Sequence, residues 1–550
     1  MIKGNTLSSV CPTWNTGRWR YLNKTCRVKS NSPCLLLLYK RIREEKKMRK
    51  KFLLFFLAIV MILSIMTGCG GSNDVVPEDS SGQSESTTKD SGDTKVSEDD
   101  NKEDKNDARY EISGTVKLAI EDGKFPIIEP VVEKFKELYK NINVEVDRYT
   151  VGTAEYLTAN ASTGTMPDVV LDDAGQLTYY ASQGWLYPLD EFIAGDPDIQ
   201  YVPENILKNY TFGGKLYALP YRANFETIFL NLDLLDQLNL DHPELDWTPE
   251  DYAELLKAAT TNEYSGTEIL WGMDESFAGS MSKNYGKYAY DFDTQTYMLT
   301  DTWVKGVNLM REMREYPGLE AWTLRNSGVN GDTNDYIKKF GEGNTDDLHM
   351  AFKMGKILSD PRGTWDVAWL RDLKFEWELW PFPQGEQGHL PMHIDHNFMI
   401  SSCKDPQAAF EFIRFFSYSP EGNIARLDQY EDENRDDEIT KDLFYIPVTN
   451  HPDVSEKFKA LPNVTEGIAY MYDNIKNSFR SDLSKIIPNY DQVNNEYLSP
   501  RGNEVRDGIA DAASVAAELQ DVASKAQQAY WKEFEDILKK VQEEFDSKHK

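Results

Sequence analysis

The chain is poor in cysteine, in positive charge and in long apolar runs, and each shortage narrows what it can be. Its 550 residues hold five cysteines. Three of them, Cys11, Cys26 and Cys34, fall within the first 47 residues, so a disulfide-stapled scaffold is excluded. Lys and Arg number 60 against 91 Asp and Glu, a formal net charge of −31. Phosphate backbones and anionic lipid surfaces repel such a body, which argues against nucleic acid as a partner. The longest apolar run, Phe52 to Met66, has about fifteen residues where roughly twenty are needed to span a bilayer. Catalytic signatures are missing too: there is no Gly-x-Ser-x-Gly, no His-Glu-x-x-His and no glycine-rich phosphate loop. Paired acids of the glycosidase kind carry no signal here, because Asp and Glu are abundant throughout.

What is present begins with that apolar run. Arg49, Lys50 and Lys51 precede it and Thr67-Gly68-Cys69 closes it, the basic, apolar and small-residue order of a secretory signal peptide. A Cys directly after the small residues resembles a bacterial lipoprotein signal. That resemblance implies that residues 48–68 are removed and that Cys69 becomes a lipid-bearing N-terminus (palmitate among its acyl chains). The protein would then sit on the outer, extracellular face of the cell membrane, in a Gram-positive cell. Residues 1–47 fit no secretory pattern and are read as a mis-called upstream extension, with the true start at Met48. From Ser72 to Ala108 the chain is Ser, Thr, Asp, Glu, Gly, Asn and Lys with little else, and such composition cannot offset the entropy of ordering it. Residues 69–108 are thus a lipidated Cys and a disordered acidic tether, spanning about 35 Å as a flexible coil. Cys403 is left without a disulfide partner, and stability must come from a core, which a chain of this length can bury.

The body alternates strands and helices. Ile112 to Ile120 has period-two character, Pro130 to Tyr139 (PVVEKFKELY) has helical spacing with Pro in its first turn, and Ile142 to Tyr149 alternates again. A helix through Ala154 to Ala161 and a buried strand over Pro167 to Leu171 follow. This β-α-β-α-β order predicts an open α/β layer with parallel strands. Ligands of such sheets sit beyond the carboxyl ends of the strands, which points to the loops Glu121–Phe125 and Asp172–Gln176.

Further on, Gly213-Gly-Lys-Leu-Tyr-Ala-Leu-Pro-Tyr221 and Thr227-Ile-Phe-Leu-Asn-Leu-Asp-Leu-Leu235 resemble the hinge region of family 1 extracellular solute-binding proteins, the carbohydrate receptors of ABC importers. Trp247-Thr-Pro-Glu-Asp-Tyr-Ala-Glu-Leu-Leu256 resembles the helix that follows there, with Thr248 as N-cap. Trp380-Pro-Phe-Pro383, Phe398-Met-Ile-Ser401, Pro406 to Phe416 and Tyr445-Ile-Pro447 keep the same order. The resemblance covers roughly residues 112–548. It implies a two-lobed, periplasmic-binding-protein-like α/β fold of type II with a hinge. Residues 109–220 would form the first part of lobe 1, and 221–550 would hold lobe 2, the hinge crossings, a partial return to lobe 1 and the C-terminal helices. The chain exceeds the family's usual length through extra helical material at Ile468–Ile487 and Asn503–Phe545.

Sugar recognition needs aromatic faces against the C–H side of a pyranose and planar polar groups on its hydroxyls. Trp185, Trp271, Trp322, Trp365, Trp369 and Trp380 fall where loops are expected. Any one of them can equally be ordinary packing, but Trp365 and Trp369 follow the Gly/Pro break Asp360–Gly363 and stand out. Asp122, Asp172 and Asp173 come just after predicted strands, and Tyr221, Arg222 and Asn224 lie in the hinge segment. Arg222 suits either an acidic sugar or a local carboxylate. His393, Asp395 and His396 are weighed as ligand contacts, as a metal site and as plain loop, with His396 kept as a ligand-binding candidate; their spacing matches no strong metal signature. The acid-rich run Asp428–Asp442 lacks the register of a calcium loop and is expected to be a solvated face. The resulting expectation is a monomeric, non-enzymatic receptor without metal or cofactor, binding an oligosaccharide between its lobes and handing it to ABC permease subunits. A non-sugar solute (polyamine or peptide) and a cell-surface glycan-active enzyme are the rival readings.

Overall fold

A computed structural model describes residues 108–549 apart from 173–174, 327–333, 342–348, 371–372, 386–387 and 432–444, and apart from the side chains of 326, 334 and 368–370. The leader, Cys69 and the tether lie outside these residues, as do Asp173 and most of the Asp428–Asp442 run.

Strand β1 (Gly114–Glu121), helix α1 (Phe125–Leu138), strand β2 (Ile142–Tyr149), helix α2 (Thr153–Thr163) and strand β3 (Val169–Asp172) follow one another as the periodicities predict. Both β2 and β3 pair with β1 in parallel. All four residues of β3 are buried, which explains its uninterrupted apolar run. Helix α1 begins five residues earlier than expected. Pro126, not Pro130, occupies the first turn, and Pro130 lies inside the helix. The first turn has N–H groups with no intrahelical partner, so a proline there costs nothing. The buried Val131, Val132 and Phe135 hold the helix past Pro130, with Phe135 edge-on to Phe412 and Phe415 at 5.0 and 5.3 Å.

After a short helix α3 (Leu177–Ser182), the chain enters strand β4 (Leu219–Asn231), thirteen residues long. Helices α4 (Leu232–Leu238) and α5 (Pro249–Ala259) follow, then strand β5 (Ser265–Thr267), helix α6 (Met273–Ser280) and helix α7 (Val304–Glu315). Strands β6 (Ile357–Gly363), β7 (Trp377–Pro381) and β8 (Leu390–Met399) come next, then helices α8 (Pro406–Ser417) and α9 (Pro420–Leu427), strand β9 (Ser478–Arg480) and helix α10 (Ala512–Lys548). The strands join in the order β2-β1-β3-β8-β4-β6-β5, with β7 on β4 and β9 on β8. Two long strands therefore connect everything. The first half of β4 pairs antiparallel with β8 and its second half with β6 and β7, while the last residues of β8 pair antiparallel with β3.

Alternation along β4 separates two cores. Phe225 and Phe229 belong to a cluster that runs through the parallel strands and α8. Ile228 and Leu230, pointing the other way, belong to a second cluster around α5, α6 and α7. Thr248 caps α5 as expected, its hydroxyl accepting from Asp251 N at 3.1 Å while the Asp251 carboxylate accepts from Thr248 N at 2.9 Å. Helix α10 touches both cores: Val515, Ala516 and Leu519 sit in the second and Phe534 and Leu538 in the first. No described helix is long and apolar enough to cross a membrane.

Candidate functional site

A cavity of about 280 Å³ opens where β4, β6, β8 and the start of α6 converge. Trp271 and Trp365 flank it, 69 % and 41 % exposed, the two most exposed tryptophans among the described residues. A large apolar ring left in water beside a cavity points to a ligand that covers it. Two glycines put these rings there. Gly272 takes φ 82° and turns the chain into α6 immediately after Trp271. A Cβ at Gly363 would lie 2.3 Å from the Trp365 ring, so only glycine lets that ring fold over the end of β6. Trp365 also rests against the His393 imidazole, with ring centroids 4.8 Å apart.

Glu226 is the polar centre of the cavity. Its carboxylate accepts from Ser276 Oγ at 2.5 Å, lies 3.2 Å from His393 Nε2 and pairs with Lys287 Nζ at 3.5 Å. Burial alone would push the Glu226 carboxyl up, yet the Lys287 ammonium and the His393 hydrogen bond hold it well below the usual range. Lys287 is raised for the mirror reason: burial disfavours its charge, but Glu226 and Glu275 outweigh that. Behind α6, Arg506 binds Asp274 at 2.9 Å, Glu275 at 2.8 Å and the Tyr288 hydroxyl at 2.8 Å. Across the cavity, Arg362 pairs with Asp360 at 3.0 Å and Asp366 at 3.5 Å. The arrangement presents two aromatic faces, a carboxylate and a ring of fixed donors, which suits a hydroxyl-rich molecule.

Of the residues singled out from sequence, Trp271 and Trp365 line this cavity. Trp369 lies in the same turn, Thr364–Leu370, with its side chain outside the described residues. Trp380, expected on a loop, is instead buried on β7, because its neighbours Leu379 and Pro381 continue the strand. Tyr221, Arg222 and Asn224 are placed elsewhere: Arg222 Nε and Asn224 Nδ2 both donate to Asp395 Oδ2, at 2.6 and 3.0 Å, and Tyr221 is buried under the Arg426 guanidinium at 5.2 Å. The structure thus pairs Arg222 with a local carboxylate. Asp122 forms an exposed pair with Arg148 at 2.9 Å. Asp172 and His396 meet in the interior, 3.8 Å apart, with Thr153 Oγ1 donating to Asp172 at 2.9 Å. His393 and His396 lie three residues apart on β8 and so on opposite faces of the strand, and the two do not share a site. No metal-ligating cluster occurs among the described residues. Glu226, Ser276, Lys287 and Arg362 escaped the sequence reading. The one signal for Glu226 was that it is the single acid in β4.

A sequence profile of the bacterial extracellular solute-binding proteins matches residues 131–432, more than half the chain. The chain belongs to that family. Among solved structures, this solute-binding protein superposes on the sugar-binding protein MalE from Xanthomonas citri with a TM-score of 0.56 at 13 % identity, over 79 % of this chain and 99 % of the other. It also matches a Listeria monocytogenes ABC substrate-binding protein in complex with cycloalternan, with a TM-score of 0.55 at 16 % identity, over 76 % and 99 %. At such identities the likeness establishes the fold, which is the α/β periplasmic-binding-protein architecture the motifs implied. The polygalacturonan/rhamnogalacturonan-binding protein YtcQ of Bacillus subtilis is 26 % identical over 214 residues, 34 % of this chain and 41 % of YtcQ. The matched stretch spans less than half of that relative.

Proposed function

We propose that this solute-binding protein is the lipid-anchored receptor of an ABC importer and that it binds an oligosaccharide in the cavity between β4, β8 and α6. The observation that carries the reading is the pair Trp271 and Trp365, exposed on one cavity around the Glu226 hub. Stacking on pyranose faces and fixed hydrogen bonds to hydroxyls need that combination. The two cores act as lobes, with β4 and β8 as the hinge; ligand shifts the population toward a closed form because only that form offers both sets of contacts. The permease then recognises the closed form. Anchoring at Cys69 and the acidic tether would keep the receptor at the membrane while it searches. Calorimetric titration of the mature chain against a glycan panel tests the reading. Saturable binding of an oligosaccharide with quenching of tryptophan fluorescence is the expected result. Tight binding of a polyamine or peptide, with no saccharide bound, would remove the carbohydrate assignment.

A further inference from the structure

Three side chains of basic type line the cavity, namely Lys287, Arg362 and His393, and each is already committed to an internal carboxylate. Lys287 Nζ sits between Glu226 at 3.5 Å and Glu275 at 3.9 Å. Arg362 sits between Asp360 and Asp366, and Asp360 is also 2.6 Å from His349 Nδ1. His393 Nε2 faces Glu226 at 3.2 Å. Glu275 and Asp274 are in turn held by Arg506, and Asp274 also accepts from Trp303 Nε1 at 3.0 Å. Among the described residues, then, the cavity offers no uncommitted counter-charge of either sign. An incoming carboxylate would have to draw Lys287 or Arg362 away from a buried partner, leaving that partner's charge unpaired, which is strongly unfavourable. A hydroxyl faces no such obstacle, since a carboxylate has about four acceptor positions and can take a further donor without any change of charge.

We infer that the site selects a neutral saccharide segment against a uronate-bearing one. The inference rests on the carbohydrate reading above and adds the charge class of the ligand. Selection comes from the absence of an available cation as much as from contacts to the right sugar. The same pairing makes binding insensitive to salt, because no long-range attraction contributes.

The test is calorimetry on the mature chain with two panels, neutral oligosaccharides and oligogalacturonides of matched lengths, each at low and at moderate salt. The expected result is that the best neutral ligand binds more than about tenfold tighter than the best uronate, as leaving a buried charge unpaired demands, with little change on adding salt. A uronate as the tightest ligand, or affinity that falls steeply with salt, would overturn the inference while leaving the carbohydrate reading in place. Binding of neither panel would remove both. Glu226→Gln supplies an independent arm, because it keeps the side chain's shape and frees Lys287 and His393 of their shared partner. The ratio of uronate to neutral affinity should rise in that variant, and an unchanged ratio would count against the inference.

Discussion

On the proposed reading Trp271 and Trp365 contact the ligand, and because both are exposed their loss should separate binding from stability. Trp271→Ala is expected to weaken saccharide binding by about 1–2 kcal/mol, the scale of an aromatic face lost, with a melting temperature unchanged within error. Calorimetry and thermal unfolding check the two halves separately. His396 has the opposite character. Its ring is fully buried and neither ring nitrogen makes a hydrogen bond. Burial, with Lys485 and Arg480 nearby, depresses its pKa to about 3. The unfolded chain binds a proton at this residue near pH 6.5 while the native chain does not, so the residue's contribution to stability falls as pH drops below about 6.5 toward 3. The slope is at most about 1.4 kcal/mol per pH unit. His396→Asn should flatten the decline between pH 6.5 and 5 in denaturant titrations; an identical slope would show that other groups cause it. Glu226, held low by Lys287, behaves differently: its contribution is complete above the ordinary glutamate range and is lost only as pH falls below it.

Among the elements, α5 and α10 are stabilised by different means. The capping box at Thr248 satisfies N–H groups that the helix itself cannot, and Thr248→Ala should cost about 1 kcal/mol. Helix α10 is secured by packing. It runs about 55 Å at 1.5 Å per residue, Asp511 caps its start by accepting from Ser514 N at 2.8 Å, and its two ends enter different cores. Phe534, 5.6 Å from Phe212, anchors the far end, helped by Gln542 donating to the Tyr217 hydroxyl at 3.0 Å. Phe534→Ala should cost about 3–5 kcal/mol, measured by chemical denaturation. A cost below 1 kcal/mol would mean that this end of the helix is not docked in solution. Arg506→Met, which leaves Asp274 unpaired inside the protein, should cost a similar 3–5 kcal/mol. The strands and helices of the first 65 residues of the body were legible in advance, because each buries a face at its own period. The start of α1 was not: two prolines four residues apart both fit a first turn, and only packing against α8 chooses between them.

For the molecule as a whole, the proposed anchoring at Cys69 carries a prediction of its own. On the proposed reading, Cys69→Ala removes the lipid attachment point, so the protein should move from the membrane fraction to the medium in a fractionation assay. Retention on the membrane would show that attachment lies elsewhere. The formal charge of −31 disfavours contact with anionic surfaces.

Local pattern by itself determined the alternating α/β order and the motifs that place the chain in its family, since each depends on residues close together in sequence. The partnership of Glu226 with Ser276, Lys287 and His393 could not be read that way. Ser276, Lys287 and His393 lie 50 to 167 positions from Glu226, and only the pairing of β4 with β8 and the packing of α6 and the turn after it against them bring the four to one cavity. Arg222, Asp172 and His396 show the same limit from the other side. Their types suited a ligand, but the folded chain places each beside an internal group, Arg222 against Asp395 and Asp172 3.8 Å from His396, because tertiary packing decides which polar groups end up side by side.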